Sequence, residues 1–242
     1  MKIPNNHPRK KSLEERKRIE EGFAKGIVVA AGMIAHGRGE ALDYLIGERT
    51  HPEAKREIMA AAAQLLLAKN PVISVNGNTT ALCAREIVSL AKAIPAKIEV
   101  NLFYRTPKRI ALIEKEFRKF GVRILAGGAD KKIPLLKSKR GMVHGAGIYS
   151  ADVVLVMLED GDRTEFLGRM GKIVVAVDLN PLSRTALKAN ITIVDNVTRA
   201  LPLLTKSVKS LRGMKSSELE RTAKFNNKKS LREMEMIMRE GV

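Results

Sequence analysis

The sequence predicts an α/β fold, a Rossmann-like parallel sheet with helices on both faces, plus an N-terminal helical segment and C-terminal helices. Three observations carry this. Runs such as "PVISV" (71–75), "DVVLVML" (152–158) and "KIVVAV" (172–177) are apolar on consecutive residues, as strands buried on both faces are. These runs alternate with segments long enough to hold helices. Finally, 242 residues with 45% hydrophobic and 29% charged side chains can bury a substantial core.

In chain order, Ser12 is placed to cap a helix reaching Lys25. Glu14 and Glu15 suit its first turn, and Leu13, Ile19 and Phe23 are apolar positions. Gly26 to Ala35 is apolar on all sides and rich in small residues, which predicts a buried helix. "HGRG" (36–39) is expected to interrupt it, with a short helix resuming over 40–46. Pro52 suits the first turn of an alanine-rich helix running to Lys69. Strands are then expected at 71–75, 97–103, 122–125, 152–158, 172–177 and 191–194. Helices are expected over 79–93, 106–120, 160–169 and 181–188, and from Asn196 onward. Residues 213–242 read as two helices around Asn226-Asn227. There Leu231, Met234, Ile237 and Met238 form an apolar stripe for docking or dimerisation. The expected organisation is an N-terminal helical segment (1–69) packed on the core, an α/β core (70–212) and a C-terminal extension (213–242). The interval 126–150 is glycine-rich and has no clear period, which in a compact domain marks a functional or disordered loop.

Composition narrows the function. The formal charge of +18 raises the possibility of a basic nucleic-acid-binding protein. Half of that excess lies at the two ends, however, on mixed-charge helices that read as solvated faces. With no Trp and 4% aromatic residues, stacking platforms for nucleic acid are scarce. A basic enzyme that handles several anionic groups explains the charge equally well. Abundant Lys and Glu also fit a heat-adapted protein. No apolar run is long enough to span a bilayer, and the charged start does not fit a signal peptide. The single cysteine, Cys83, reads as a buried residue of a cytoplasmic chain.

In an open parallel sheet, ligands bind beyond the carboxyl ends of the strands, where helix N-termini also point. After the first strand come Asn76, Gly77, Asn78, Thr79 and Thr80, an uncharged cradle for an anion or, alternatively, a helix cap. After the second come Tyr104, Arg105, Thr106, Lys108 and Arg109, which would supply positive charge. Together they suit a phosphate ester. The glycine-rich loop adds His144, which could touch substrate or lie on the surface. Asp178 to Thr185 could read an adenine edge with its backbone and meet phosphates through Arg184 or Thr185, or could be an Asn-Pro turn. Asp195-Asn196 could be a helix cap, and Arg38 lies between two glycines that leave it open to an anion. These strand mouths are expected to form one electropositive cleft that brings Thr79, Arg105 and Arg184 together. No GxxxxGK[ST] loop, GxGxxG fingerprint, zinc spacing or nucleophile elbow is present.

The strings "VNGNTTAL", "EVNLFYRTPKR", "AHGRGEALDYL" and "VDLNPLSRTA" closely resemble the archaeal phosphopantothenate synthetases, the 4-phosphopantoate–β-alanine ligases. The resemblance runs from the helix at Ser12 to about residue 212. It implies ATP-dependent condensation of 4-phosphopantoate with β-alanine to 4′-phosphopantothenate for coenzyme A. AMP and diphosphate would leave through an acyl-adenylate, with Mg2+ as cofactor. It also implies a homodimer acting on these small molecules, not on nucleic acid or membrane. For ATP the resemblance implies Arg16, Arg38, Asp178, Leu179, Asn180, Arg184, Thr185, Asn196 and Val197. For 4-phosphopantoate the phosphate argument selects Asn76, Asn78, Thr79, Thr80, Arg105 and Lys108, with Tyr104 beside them. Neither step needs a protein nucleophile, so Arg105, Lys108 and His144 are the candidates for charge stabilisation at the reacting centre. No residue stands out as the base for the ammonium of β-alanine, and the metal ligands are not assigned.

Overall fold

The computed structural model describes residues 3–136 and 139–241. Three helices come first: α1 (Lys10–Ala24), α2 (Ala30–Leu45) and α3 (Pro52–Leu67). Next are β1 (Pro71–Val75), α4 (Gly77–Ala93), β2 (Lys97–Val100) and α5 (Pro107–Arg118). A short antiparallel ribbon, β3 (Lys131–Lys132) with β4 (Met142–Val143), and a wide helical turn, Gly145–Tyr149, lie in the glycine-rich interval. Then follow β5 (Val153–Met157), α6 (Gly161–Arg169), β6 (Ile173–Val177), α7 (Arg184–Lys188) and β7 (Ile191–Ile193). Helices α8 (Val197–Leu211), α9 (Ser216–Ala223) and α10 (Asn227–Glu240) close the chain.

The main sheet runs β2-β1-β5-β6-β7 with every neighbouring pair parallel. Leu125 adds one parallel bridge outside β2, opposite Glu99. Counted as an edge strand, it completes the doubly wound order 3-2-1-4-5-6. The order in which the chain adds strands reverses between β1 and β5. On one face Ile73, Val75, Leu155 and Val177 pack beneath α3, α4 and α8. On the other, Val72, Val154, Val156 and Val174 meet Leu167 of α6 and Ile148 of the wide turn. This two-sided burial is why β5 and β6 are apolar at every position and β1 at all but Ser74, whose hydroxyl accepts from the buried Arg163 (3.0 Å).

Five expectations change, beginning with Ser12, which does not cap: α1 starts at Lys10 with Arg9 at the cap position, and Ser12 lies inside the helix with its hydroxyl donating to Arg9 O. The strand expected at 122–125 is reduced to the Leu125 bridge, because Leu125 alone makes ladder contacts: its N–H donates to Ile98 and its carbonyl accepts from Val100. The second strand ends at Val100, three residues early, since Asn101–Phe103 turns across the strand ends. "HGRG" does not break the helix, and α2 runs unbroken from Ala30 to Leu45. A Cβ on Gly37 would meet nothing within 4 Å, so that glycine faces open space; an exposed helical glycine costs only about 1 kcal/mol. Nor is this helix buried all round: Ile34 is 67% exposed.

The C-terminal stripe finds its partner within the same chain. Leu231 and Met234 are buried against Ile46, Leu179 and Val194, with Ile237 and Met238 packed around them. The charged ends are stitched by ion pairs such as Arg56–Glu233 and Arg239–Glu235. Cys83 is buried, and burial pushes its thiol well above the usual range. Among the described residues no helix is long and apolar enough to cross a membrane.

Helix α10 is locked to the sheet by Glu57, which has no exposed surface. Its carboxyl accepts from Val194 N (2.7 Å) and Ser230 Oγ (2.6 Å). Burial raises its pKa from 4.5 to about 7, against the pull of those two donors. A carboxyl raised on folding stabilises the fold fully below 4.5 and loses that contribution as pH climbs through 7. The loss is about 3 kcal/mol at 1.36 kcal/mol per unit. Urea unfolding of Glu57→Gln should therefore show the variant gaining on the parent between pH 5 and pH 8. A difference independent of pH would refute a titrating Glu57.

Candidate functional site

A cleft of about 720 Å³ opens over the carboxyl ends of the strands. Its floor holds Asn76 from the end of β1 and Leu158 and Glu159 from the end of β5, so it spans the point where strand order reverses. Asn101 to Tyr104, beyond β2, form one side. Leu179, Asn196 and Val197, beyond β6 and β7, form the other. The roof is the start of α1, with Lys10 and Lys11, and one face of α2. That face presents Gly32, His36, Gly39 and Asp43, at intervals of four, three and four residues.

At one end of the cleft lies the start of α4. Asn76 caps it: its side chain accepts from Thr79 N (3.0 Å), and Thr79 Oγ1 accepts from Asn76 N (2.9 Å). The Asn76 amide also donates to Met157 O and Leu158 O, which ties β1 to β5 across the reversal. Asn78 donates to Gly32 O (2.8 Å) and so ties α4 to α2. The first amides, at Gly77 and Asn78, have no acceptor within the helix, as at any helix start. A Cβ at Gly77 would lie 2.3 Å from Ile27 O and 2.8 Å from Arg109 Nη2, so only glycine lets these three elements meet. Arg109 is half-buried and donates to Ile27 O and Tyr104 O; among the described residues it has no carboxylate partner. Burial lowers its pKa, the sign of a desolvated cation. An uncompensated guanidinium beside a helix N-terminus is an anion site by charge and geometry.

The other end is held by a buried charge network. Arg199 donates to Asp43 through both terminal nitrogens (2.9 and 2.5 Å) and through Nε to Asp195 (2.8 Å). Burial works against its charge, but these carboxylates outweigh it and leave the pKa raised. At Asp195 burial wins, and the carboxyl sits above its ordinary value despite Arg199. Asn196 caps α8 through Thr198 N and donates to Glu15 and Asp43, both at 3.0 Å. The first turn of α8 therefore faces the cleft from a rigid frame. Arg38 is exposed on the cleft wall and has no ion-pair partner among the described residues.

Of the residues expected for the nucleotide, Arg38, Leu179, Asn196 and Val197 line the cleft. Arg16 is one step removed, donating through Nε to the cleft residue Glu40 (2.7 Å). Asp178 closes its own turn by accepting from Asn180 N (2.9 Å) and Ser183 Oγ (2.5 Å). Burial raises its pKa. Thr185 Oγ1 donates to Glu159 O beneath the floor, while Arg184 points outward to Glu165 (2.7 Å).

Of those expected for the phosphate ester, Asn76, Asn78 and Tyr104 line the cleft and Thr79 and Thr80 do not. Both threonines are buried and bonded to Asn76, because the cap consumes their hydroxyls. Arg105 spans Val100 O and Ala126 O at the sheet edge, and Lys108 is exposed on the first turn of α5. His144 lies beyond β2, where its backbone N–H donates to the buried Glu99 (2.9 Å). Gly147 makes that approach possible, since a Cβ there would fall 2.0 Å from Glu99 Oε2.

The strand mouths thus converge on one cleft, but Thr79, Arg105 and Arg184 do not share it. Nor is its lining uniformly positive: Glu15, Glu40, Asp43, Glu159 and Asp160 stand among the cations. Arg109 takes the place expected of Arg105 and Lys108, because the first turn of α5 aims that side chain back at Ile27. The roof residues His36 and Asp43, and Arg199 in the first turn of α8, were missed in the sequence. The signal for the two roof residues was the 32-36-39-43 spacing, hidden by breaking the helix at "HGRG".

Comparison with known proteins follows the same line. The family model described as phosphopantothenate/pantothenate synthetase matches residues 53–241. A 4-phosphopantoate–β-alanine ligase from Thermococcus onnurineus is 51% identical over 243 residues, covering 99% of this chain and 93% of its own. One from Thermococcus kodakarensis is 52% identical, covering 98% and 92%. A third, from Methanosarcina mazei, is 48% identical, covering 96% and 92%.

Proposed function

This chain belongs to the phosphopantothenate/pantothenate synthetase family, and from that premise we propose that it is an ATP-dependent 4-phosphopantoate–β-alanine ligase. The observation that carries the reading is the cleft over the strand reversal. It is closed by one continuous helix and has an uncompensated cation, Arg109, at one end and the framed start of α8 at the other. Two anionic small molecules laid end to end need such a site.

In this reading the phosphate of 4-phosphopantoate sits against the Gly77 and Asn78 amides and Arg109, with Tyr104 over it. Asn76, Thr79 and Thr80 shape the cradle from beneath, and Arg105 and Lys108 add field from the sheet edge. ATP takes the other end: Asn196, Val197 and the turn Asp178–Asn180 hold the nucleoside, and Arg38 meets the phosphates. Arg16, Arg184 and Thr185 brace the surrounding walls. The 4-phosphopantoate carboxylate attacks the α-phosphorus, which gives an acyl-adenylate and diphosphate. The amine of β-alanine then attacks the acyl carbon and expels AMP. Catalysis rests on bringing anions together and offsetting their repulsion. Mg2+ would screen the triphosphate and help diphosphate leave. Asp160 on the cleft floor would hold it, beside Glu159, whose carboxylate also pairs with the buried Arg163, and one or two carboxylates suffice for an ion that keeps water and phosphate oxygens as its other ligands. The working unit in this reading is a homodimer, as the resemblance implies.

A coupled AMP assay with each substrate omitted in turn tests the proposal. AMP and diphosphate should appear only when 4-phosphopantoate is present. Arg38→Ala should raise KM for ATP by about 10- to 100-fold, the worth of one charge-assisted hydrogen bond. Unchanged kinetics in both Arg38→Ala and Arg184→Ala would defeat the nucleotide assignment.

A further inference from the structure

We propose that His36 is the catalytic base that takes the proton from the ammonium of β-alanine in the amide-forming step. This rests on the ligase reading above and assigns a role which that reading leaves open. Placement is the first argument. Helix α2 spans the cleft: Gly32 O is bound to Asn78 at the phosphate end, and Asp43 to Asn196 and Arg199 at the nucleotide end. His36 lies on the same face between them, about 6 Å along the axis from Gly32 and about 10 Å from Asp43 at 1.5 Å per residue. In 4-phosphopantoate five bonds separate the phosphorus from the carboxyl carbon, a reach of about 6 Å for an extended chain. A phosphate held at Gly77 and Arg109 therefore brings the activated carbonyl level with the His36 ring.

The ring is also free to act. Its Nε2 is shielded from solvent and has no hydrogen-bond partner among the described residues. A buried polar atom left in that state is costly unless something arrives to use it. Nearby carboxylates are already committed. Glu15 accepts from Asn196 and Thr198, Glu40 from Arg9, Arg16 and Tyr44, and Asp43 from Arg199. The charged groups facing His36 are Glu15, Arg16 and Arg18 of α1 and Glu40 of α2, and the positive end of α4 also points into the cleft. Desolvation is the largest influence and depresses its pKa; Glu15 and Glu40 pull it up, Arg16 and Arg18 push it down by less, and the net direction is down. The imidazole is thus neutral at neutral pH and ready to accept.

The step balances as follows. One N–H bond of the ammonium breaks and its proton passes to His36. The freed lone pair forms the C–N bond to the acyl carbon. As the tetrahedral centre collapses, the carbon–oxygen bond to the adenylate breaks, AMP leaves with the electron pair, and the nitrogen sheds its second proton to solvent.

His36→Gln in the full chain tests this, with three readouts on the same preparation. The first is 4-phosphopantoate-dependent exchange of labelled diphosphate into ATP, which needs no amine and reports both folding and adenylation. It should be retained. The second is amide formation with β-alanine, which should fall by about 10²- to 10⁴-fold, the usual worth of a positioned base. The third replaces β-alanine with hydroxylamine, which is largely unprotonated at neutral pH; variant and parent should then form hydroxamate equally. In the parent, kcat for amide formation should fall toward acid with a midpoint below histidine's ordinary value of about 6.5, a limb absent from the exchange reaction. Amide formation unchanged in the variant, or lost in step with exchange, would overturn the role of His36. A parent without exchange would overturn the ligase reading first and this role with it.

Discussion

Pantoate offered in place of 4-phosphopantoate is expected to lose about 10³-fold or more in kcat/KM, the equivalent of two charge-assisted hydrogen bonds at about 2 kcal/mol each. The reason is the state of the cleft before substrate arrives. Arg109 is half-buried, its partners among the described residues are neutral carbonyls, and the helix beside it contributes roughly half a positive charge. A phosphate monoester satisfies that charge, whereas a hydroxyl leaves it buried and unmet. Sites built around a polar group reject analogues lacking it far more strongly than hydrophobic pockets reject a missing methylene. Arg109→Ala should narrow the difference between the two substrates by raising KM for 4-phosphopantoate alone. Steady-state kinetics with both acids decide the matter. Comparable kcat/KM values would remove the phosphate subsite from this end of the cleft.

Arg199→Met should be the most destabilising substitution near the site, at about 3–5 kcal/mol, because it removes the cation from a buried network and leaves its carboxylates behind. Side-chain exposure is 17% for Arg199, 6% for Asp43 and none for Asp195. Without it two buried carboxylates are left with no cation between them. For a chain of this size each kcal/mol lowers Tm by about 2–4 °C, so a drop of about 10 °C is expected. Because Asn196 shares the Asp43 carboxylate, ATP should also bind more weakly to the folded variant. Adding Asp43→Asn should recover part of the loss, since the second change removes the stranded charge. A thermal scan showing a shift of a degree or less would mean that the network is not an energetic unit.

The sequence read well wherever local chemistry and burial agree. Strands β1, β5 and β6 were legible because a doubly covered strand is apolar at nearly every residue, Ser74 of β1 being the one polar position. The Asn226 break was legible because Asn caps the next helix, here through Lys229 N. It misled where a local signal competed with packing. The two glycines of "HGRG" are weak helix formers, yet a continuous α2 gains Gly32–Asn78 at one end and Asp43–Arg199 at the other, which outweighs about 2 kcal/mol of propensity. The run 122–125 has strand composition, but it lies at a sheet edge with no outer partner to extend its ladder.

By itself the sequence determined the parallel sheet, the placing of the chemistry beyond the strand ends and, through its family strings, the reaction class. Those follow from periodicity and short-range spacing, which the chain carries in one dimension. Only the tertiary structure decided which polar side chains serve the cap and which face the cleft. It also decided that Arg109 rather than its neighbours reaches the anion end, and that α2 roofs the whole site. Such choices depend on which groups from distant segments compete for the same donor or acceptor. That competition exists only once the segments are packed.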